Sequence, residues 1–229
     1  VQDIFTLDLS EIAPVDVVYI LLSPDDSTVE GYQHTYVDSI EPIRQALKSH
    51  PVKRLIVVSS TRVYGENSGE TIDDHSEIHP NDAQGHILHN MELLWQKYFP
   101  SQCVIVRPTG IYGASIDRLK RMAEHTQTYP NIHYSNRIHI DDLARFLAFL
   151  ADFEKPHKSY LVANNAPVPL HEVLLWFQSQ LDLPLLTLDS AHVSGKKIYA
   201  KHLFETGFQL EHPICFNDYL LCLNAHGTN

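Results

Sequence analysis

The chain has 229 residues, 44% of them hydrophobic, and a formal net charge of -11, enough for one large domain with an appendage around a buried core. That charge excludes a general binder of nucleic acid or of anionic membrane, because an acidic surface neutralises neither. Fifteen histidines would lower the negative charge below about pH 6.5, which bears on solubility before it bears on catalysis.

Ile4 to Leu9 reads as a short strand, and Asp16 to Leu22 as a continuous apolar run of the kind buried on both faces of a parallel sheet. Gly31 to Ser49 has helical spacing at Tyr36, Val37, Ile40, Ile43 and Leu47, and Leu55 to Ser60 is again a strand. A helix from Asp82 to Phe99 and a strand at Cys103 to Arg107 continue the βαβ alternation. After Gly113 the rhythm changes. A charged helix spans Ile116 to His125, and a short strand lies near His133-Tyr134. A helix capped by Asp141 follows, then a strand at Tyr160 to Ala163 and a helix from Leu170 to Leu181. A strand at Leu185 to Leu188 and a helix at Tyr199 to Glu205, ending in Gly207, complete the pattern. These elements predict an α/β fold, a doubly wound parallel sheet over residues 1–113 and a small α+β lobe over residues 114–229, with some segments returning to the core. Cys103, Cys215 and Cys222 form no paired arrangement, which fits reduced thiols in a cytoplasm. No run approaches the roughly 18 apolar residues of a membrane span, and the start lacks a secretory pattern.

Three segments carry chemistry. Ser59-Ser60-Thr61-Arg62-Val63-Tyr64-Gly65 ends an apolar strand in hydroxyls, where open α/β sheets place their sites. Arg107-Pro108-Thr109-Gly110-Ile111-Tyr112-Gly113 ends the next strand, and Arg137-Ile138-His139-Ile140-Asp141-Asp142-Leu143-Ala144 begins a helix. In this order and spacing they resemble the S-S-x-x-V-Y-G, R-P-x-x-[VI]-Y-G and H-V-x-D-[LV]-A motifs of the extended short-chain dehydrogenase/reductase superfamily, the NAD-dependent epimerase/dehydratase group. Gly85 to Glu92 and Lys197 to Phe208 look like an atypical, nucleoside-diphosphate-sugar epimerase-like branch of it.

The resemblance implies a Rossmann-like fold that binds NAD or NADP, with Asp8 and Leu9 near the adenine, Leu21, Leu22 and Ser23 along the adenosine ribose, and Ser60, Pro108 and Thr109 toward the nicotinamide. It also implies a small-molecule substrate, such as a sugar nucleotide, contacted by Arg137 and His139, and a homodimer. Glu92 matches the glutamate that follows the family's Tyr-x-x-x-Lys, which puts Gln84 at the tyrosine position and Leu88 at the lysine position. Neither can move a proton or supply charge. Ser60 stands at the third catalytic position, with Tyr64 the nearby candidate for proton transfer. No Gly-x-Gly-x-x-Gly loop occurs, so a preceding βαβ unit of roughly 30 residues is expected upstream of Val1. In the family's strand order its strands would lie between Ile4 to Leu9 and Asp16 to Leu22.

Each motif also has a plainer reading. Ser59, Ser60 and Thr61 can be strand-end caps, Tyr64 and Tyr112 packing residues with polar tips, and Asp141 and Asp142 helix-start acids. His75, His79, His86 and His89 have partial metal-site spacing, but Pro80 and the absence of any H-E-x-x-H or C-x-x-C anchor argue against a metal. The expectation is therefore a NAD(P)-binding protein, an oxidoreductase or sugar-nucleotide epimerase with a non-standard site and no metal. The alternative is a non-catalytic nucleotide-sensing or scaffold protein of the same fold.

Overall fold

The computed structural model of the protein describes residues 1–226. It divides into two compact units, each assembled from separate stretches of chain. The first comprises Val1–Gly65, Glu77–Arg107 and Leu147–Tyr160, and the second Glu66–Ser76, Pro108–Phe146 and Leu161–Asn229.

In the first unit β1 (Val17–Ile20), β2 (Arg54–Val58) and β4 (Cys103–Pro108) are parallel neighbours, and β9 (Ser159–Val162), whose first half belongs here, lies beyond β4. Leu55, Ile56, Val57, Ile105 and Val106 are all fully buried, as expected for parallel strands covered on both faces. The covering helices are α2 (Ile40–Ala46), which buries Ile40 and Ile43, and α3 (Ala83–Tyr98), which buries Leu88, Met91 and Trp95. Asp82 caps α3 by accepting the Gly85 N–H at 2.7 Å.

The structure departs from the sequence pattern at two segments. Ile4 to Leu9 is not a strand: Ile4–Thr6 forms one 3₁₀ turn capped by the Asp3 carboxylate. The Gln2 side chain bonds both the N–H and the C=O of Asp8 at 2.8 Å, so local groups satisfy backbone atoms that a sheet would otherwise have paired. The helix expected over Gly31 to Ser49 is broken. A first turn, α1 (Val29–Tyr32), widens into a π-helical stretch at Gln33–Asp38 before α2 begins.

The second unit holds a four-stranded sheet in the order β10 (Val168–Pro169), β7 (Ile132–Ser135), β12 (Val193–Tyr199), β3 (Ser68–Asp73), in which only the β10–β7 pair is antiparallel. Two parallel pairs accompany it, β5 (Gly110–Tyr112) with β8 (Arg137–His139) and β6 (Thr128–Tyr129) with β11 (Thr187–Leu188). Its core joins α4 (Asp117–His125), α6 (Leu170–Gln180) and α8 (Cys215–His226) through Ile116, Val173, Phe177 and Tyr219. The chain also forms α5 (Ile140–Asp152) and α7 (Lys201–Glu205). Asp141 is not the cap of α5; the His139 ring accepts the Asp141 N–H at 3.2 Å, and Asp141 lies within the first turn. Among the described residues no helix is long and apolar enough to cross a membrane.

Candidate functional site

In the first unit, β2 delivers Ser59 and Ser60 to its carboxyl end. The Ser60 Oγ accepts the Arg62 N–H at 3.2 Å and caps a 3₁₀ turn at Thr61–Val63. A hydroxyl used as a cap spends a lone pair and keeps its proton, so Ser60 can still donate to a ligand oxygen. Arg62 reaches back to both Asp82 oxygens, at 3.1 and 3.0 Å, which ties this turn to the start of α3. Tyr64 has a different setting. It is 1% exposed, and its hydroxyl accepts from Arg107 Nη1 at 2.9 Å, while the same guanidinium grips Glu92 bidentately at 2.9 and 2.7 Å. That network packs the phenol against the sheet. Gln84 donates its amide to the Ser27 carbonyl at 3.0 Å, and Leu88 is core.

Leu21, Leu22 and Ser23 leave the carboxyl end of β1, with Leu21 58% exposed. Asp8 and Leu9 line a cavity of about 520 Å³ against α2, and its lining includes neither Leu21 to Ser23 nor Ser60. The Ser10 N–H holds the Asp8 carboxyl below the usual range. The residues present fit part of a dinucleotide. The Ser59 Oγ is buried with no partner at the end of β2, beside the Ser60 hydroxyl and near a strand end that offers apolar surface at Leu21. The chain has no glycine cradle for a pyrophosphate, so nothing here is derived through one.

In the second unit Pro108 and Thr109 turn inward. Both the N–H and the Oγ1 of Thr109 donate to the Val162 carbonyl, at 3.0 and 3.1 Å. Arg137 and His139 lie two residues apart on β8 and are each 7% exposed. The His139 ring stacks on His212 with centroids 3.7 Å apart, and Tyr112 meets it edge-on. His212 Nδ1 lies 2.7 Å from Asp218 Oδ1, and the Tyr112 hydroxyl donates to Asp218 Oδ2 at 2.7 Å. Asp218 therefore raises the His212 pKa, burial lowering it in part. It also fixes the neutral tautomer with Nε2 as the basic nitrogen. Burial and the bond to Asp218 push the Tyr112 phenol upward, so it serves as a donor and not a base.

A third carboxylate builds this arrangement. Asp142 is fully buried and accepts the N–H groups of Glu211 and His212 at 2.8 and 2.9 Å as well as Arg145 Nη1 at 2.7 Å. It thus holds the segment that presents His212. Sequence reasoning singled out His139 and missed His212, Asp218 and Tyr219, because no local motif surrounds them; they meet β8 only through the fold. Ligand atoms of His139, His212 and Asp218 lie within 4.8 Å of one another. Stacked imidazoles aim their lone pairs side by side, however, and Asp218 is committed to His212 and Tyr112, so the group is built as a hydrogen-bonded relay.

A model of the NAD dependent epimerase/dehydratase family matches residues 7–163, and the chain belongs to that family. A protein from Methylobacillus flagellatus with the provisional designation NAD-dependent epimerase/dehydratase is 30% identical, with a TM-score of 0.76 over 86% of this chain and 73% of that one. Protein YeeZ of Escherichia coli K12 is 26% identical over 216 residues, 90% of this chain and 75% of YeeZ. MoeE5, solved in complex with UDP-glucose and NAD, superposes with a TM-score of 0.74 over 92% of this chain and 79% of its own; at 17% identity it shows the fold alone.

Proposed function

We propose that the protein is a NAD-binding oxidoreductase or epimerase that acts on a small molecule from a non-standard site. The first unit is read as the cofactor-binding part and the second as the substrate lobe. The observation that carries this reading is the hydroxyl pair at the end of β2, Ser59 buried without a partner and Ser60 free to donate, in a chain of this family. Bound NAD would supply reversible hydride transfer. Ser60 would donate to a substrate hydroxyl or carbonyl oxygen and orient it. Leu21, Leu22 and Ser23 would flank the adenosine ribose, and Pro108 and Thr109 the nicotinamide. Proton transfer cannot fall to Gln84 or Leu88, and the Tyr64 hydroxyl is engaged by Arg107. Within the second unit, Asp218 holds His212 as an imidazole base.

A second reading, a nucleotide sensor without turnover, is favoured by Leu88, which is 1% exposed and belongs to the core where the family chemistry needs a lysine. Calorimetric titration of NAD, NADH, NADP and NADPH into the full-length gene product tests both. Binding accompanied by a change in nicotinamide absorbance on adding substrate candidates, or by their epimerisation followed by NMR, supports the enzyme. Binding with neither redox change nor epimerisation of any candidate supports the sensor, and no binding of any of the four overturns both.

A further inference from the structure

Two arginines of this chain are buried in their units, and their surroundings differ. Arg107 has a bidentate carboxylate. Arg137, 7% exposed, has none: its Nη1 is buried without a hydrogen-bond partner, and among the described residues no carboxylate pairs with it. The Tyr219 hydroxyl and the Cys215 thiol lie close to it, and the Tyr219 hydroxyl, on a side chain 1% exposed, makes no hydrogen bond of good geometry. A guanidinium cannot shed its proton to escape burial as an ammonium can. An unpaired buried charge is among the costliest features a fold can retain. The strand holds it in place nonetheless. The Asn164 N–H donates to the Arg137 carbonyl at 2.9 Å, and the neighbouring Asn136 side chain is pinned at both ends, to Lys196 and Ile198, at 2.8 Å.

Arg137 and Tyr219 border a cavity of about 290 Å³ with an apolar side at Leu119, Met122 and Leu170 and a second guanidinium, Arg118, on its lining. We propose that this cavity is an oxyanion site: a small organic acid, carboxylate or phosphate ester, forks onto Arg137 and receives the Tyr219 hydroxyl, while its apolar body rests on Leu119, Met122 and Leu170. The volume lies at the lower end of small-molecule pockets, and a single buried fork suits one oxyanion better than a nucleoside diphosphate. The inference rests on reading the second unit as the substrate lobe and narrows the substrate class; binding of the acid needs no cofactor.

The test uses benzoate, phenyl phosphate, inorganic phosphate and UDP-glucose as probes, titrated at constant ionic strength against a chloride control, with the wild type, Arg137→Met and Arg137→Lys. Benzoate or phenyl phosphate should bind at least tenfold more tightly than inorganic phosphate, and whichever of the two binds identifies the oxyanion. Arg137→Met should weaken that binding by about tenfold or more, the loss of one charge-assisted pair, and Arg137→Lys should retain part of it. Without ligand, Arg137→Met should melt at a higher temperature than wild type, since it removes an unpaired buried charge; an arginine with a purely structural role would give a lower one. Binding unchanged in Arg137→Met, a lower melting temperature for that variant, or UDP-glucose as the tightest probe would each overturn the proposal. Failure of NAD to bind while benzoate or phenyl phosphate still does would sink the functional reading and leave this site standing.

Discussion

Replacing Glu92 by leucine should test the energetics of the first unit most directly. Arg107 and Glu92 have side chains 6% and 2% exposed and are joined by two short bonds. Removing only the carboxylate strands a guanidinium in a medium that screens it poorly, which costs about 3–5 kcal/mol. For a chain of this size that corresponds to a fall in Tm of about 6–20 °C. The double variant Glu92→Leu/Arg107→Met removes both charges and should recover most of the loss, leaving about 1 kcal/mol for the buried Tyr64 hydroxyl deprived of its donor. The chain has two tryptophans. In a Trp176→Phe background Trp95, 1% exposed on α3, reports on this unit alone, so urea unfolding followed by its fluorescence gives the four corners of the cycle. A cost below about 1 kcal/mol for Glu92→Leu, or a double variant no more stable than the single one, would refute the view that this pair is coupled and desolvated.

Other outcomes follow from the second unit and the cysteines. Because Asp218 raises the folded-state pKa of His212, the stabilisation from this pair should be complete below the unfolded value near pH 6.5 and fade as pH rises through the folded value; Asp218→Asn should flatten that dependence in urea midpoints and shift the His212 NMR titration downward. Gly113 has φ +110°, and a Cβ there would lie 2.4 Å from His139 Nε2, so Gly113→Ala should cost about 1–3 kcal/mol and alter the ring-current shifts of the His139–His212 stack. Burial pushes the Cys103 thiol up to about 12 and raises Cys215 as well; neither should react with a disulfide reagent at pH 8 until urea is added.

Much of this fold could be read from the chain because the apolar runs of β2 and β4 and the Asp82 cap of α3 are strong local signals. The second unit was less legible. β3, Ser68–Asp73, reads Ser-Gly-Glu-Thr-Ile-Asp, and β12, Val193–Tyr199, carries Gly195 and two lysines, so neither looks like a strand without its partner. Ile4 to Leu9 erred the other way: the pattern was apolar, but the polar side chains of Gln2 and Asp3 close the backbone locally. At the site, Ser60 and His139 stood out because motifs surround them. The unpartnered Nη1 of Arg137 did not, since only the fold reveals that among the described residues no carboxylate pairs with it.

The placement of β3 also constrains how the protein is made. Residues 66–76 leave the first unit's chain to pair with β12, where Ile72 stands beside Ile198. A ribosome therefore releases β3 long before its neighbour exists, and the first unit itself waits for residues 147–160. Neither unit can close cooperatively on the growing chain, contact order is high, and folding should be slow and largely post-translational. During synthesis β3 presents Ser, Gly, Glu and Asp with only one isoleucine. The polarity that hides this strand from pattern reading is also what keeps an unpaired edge from recruiting the wrong chain.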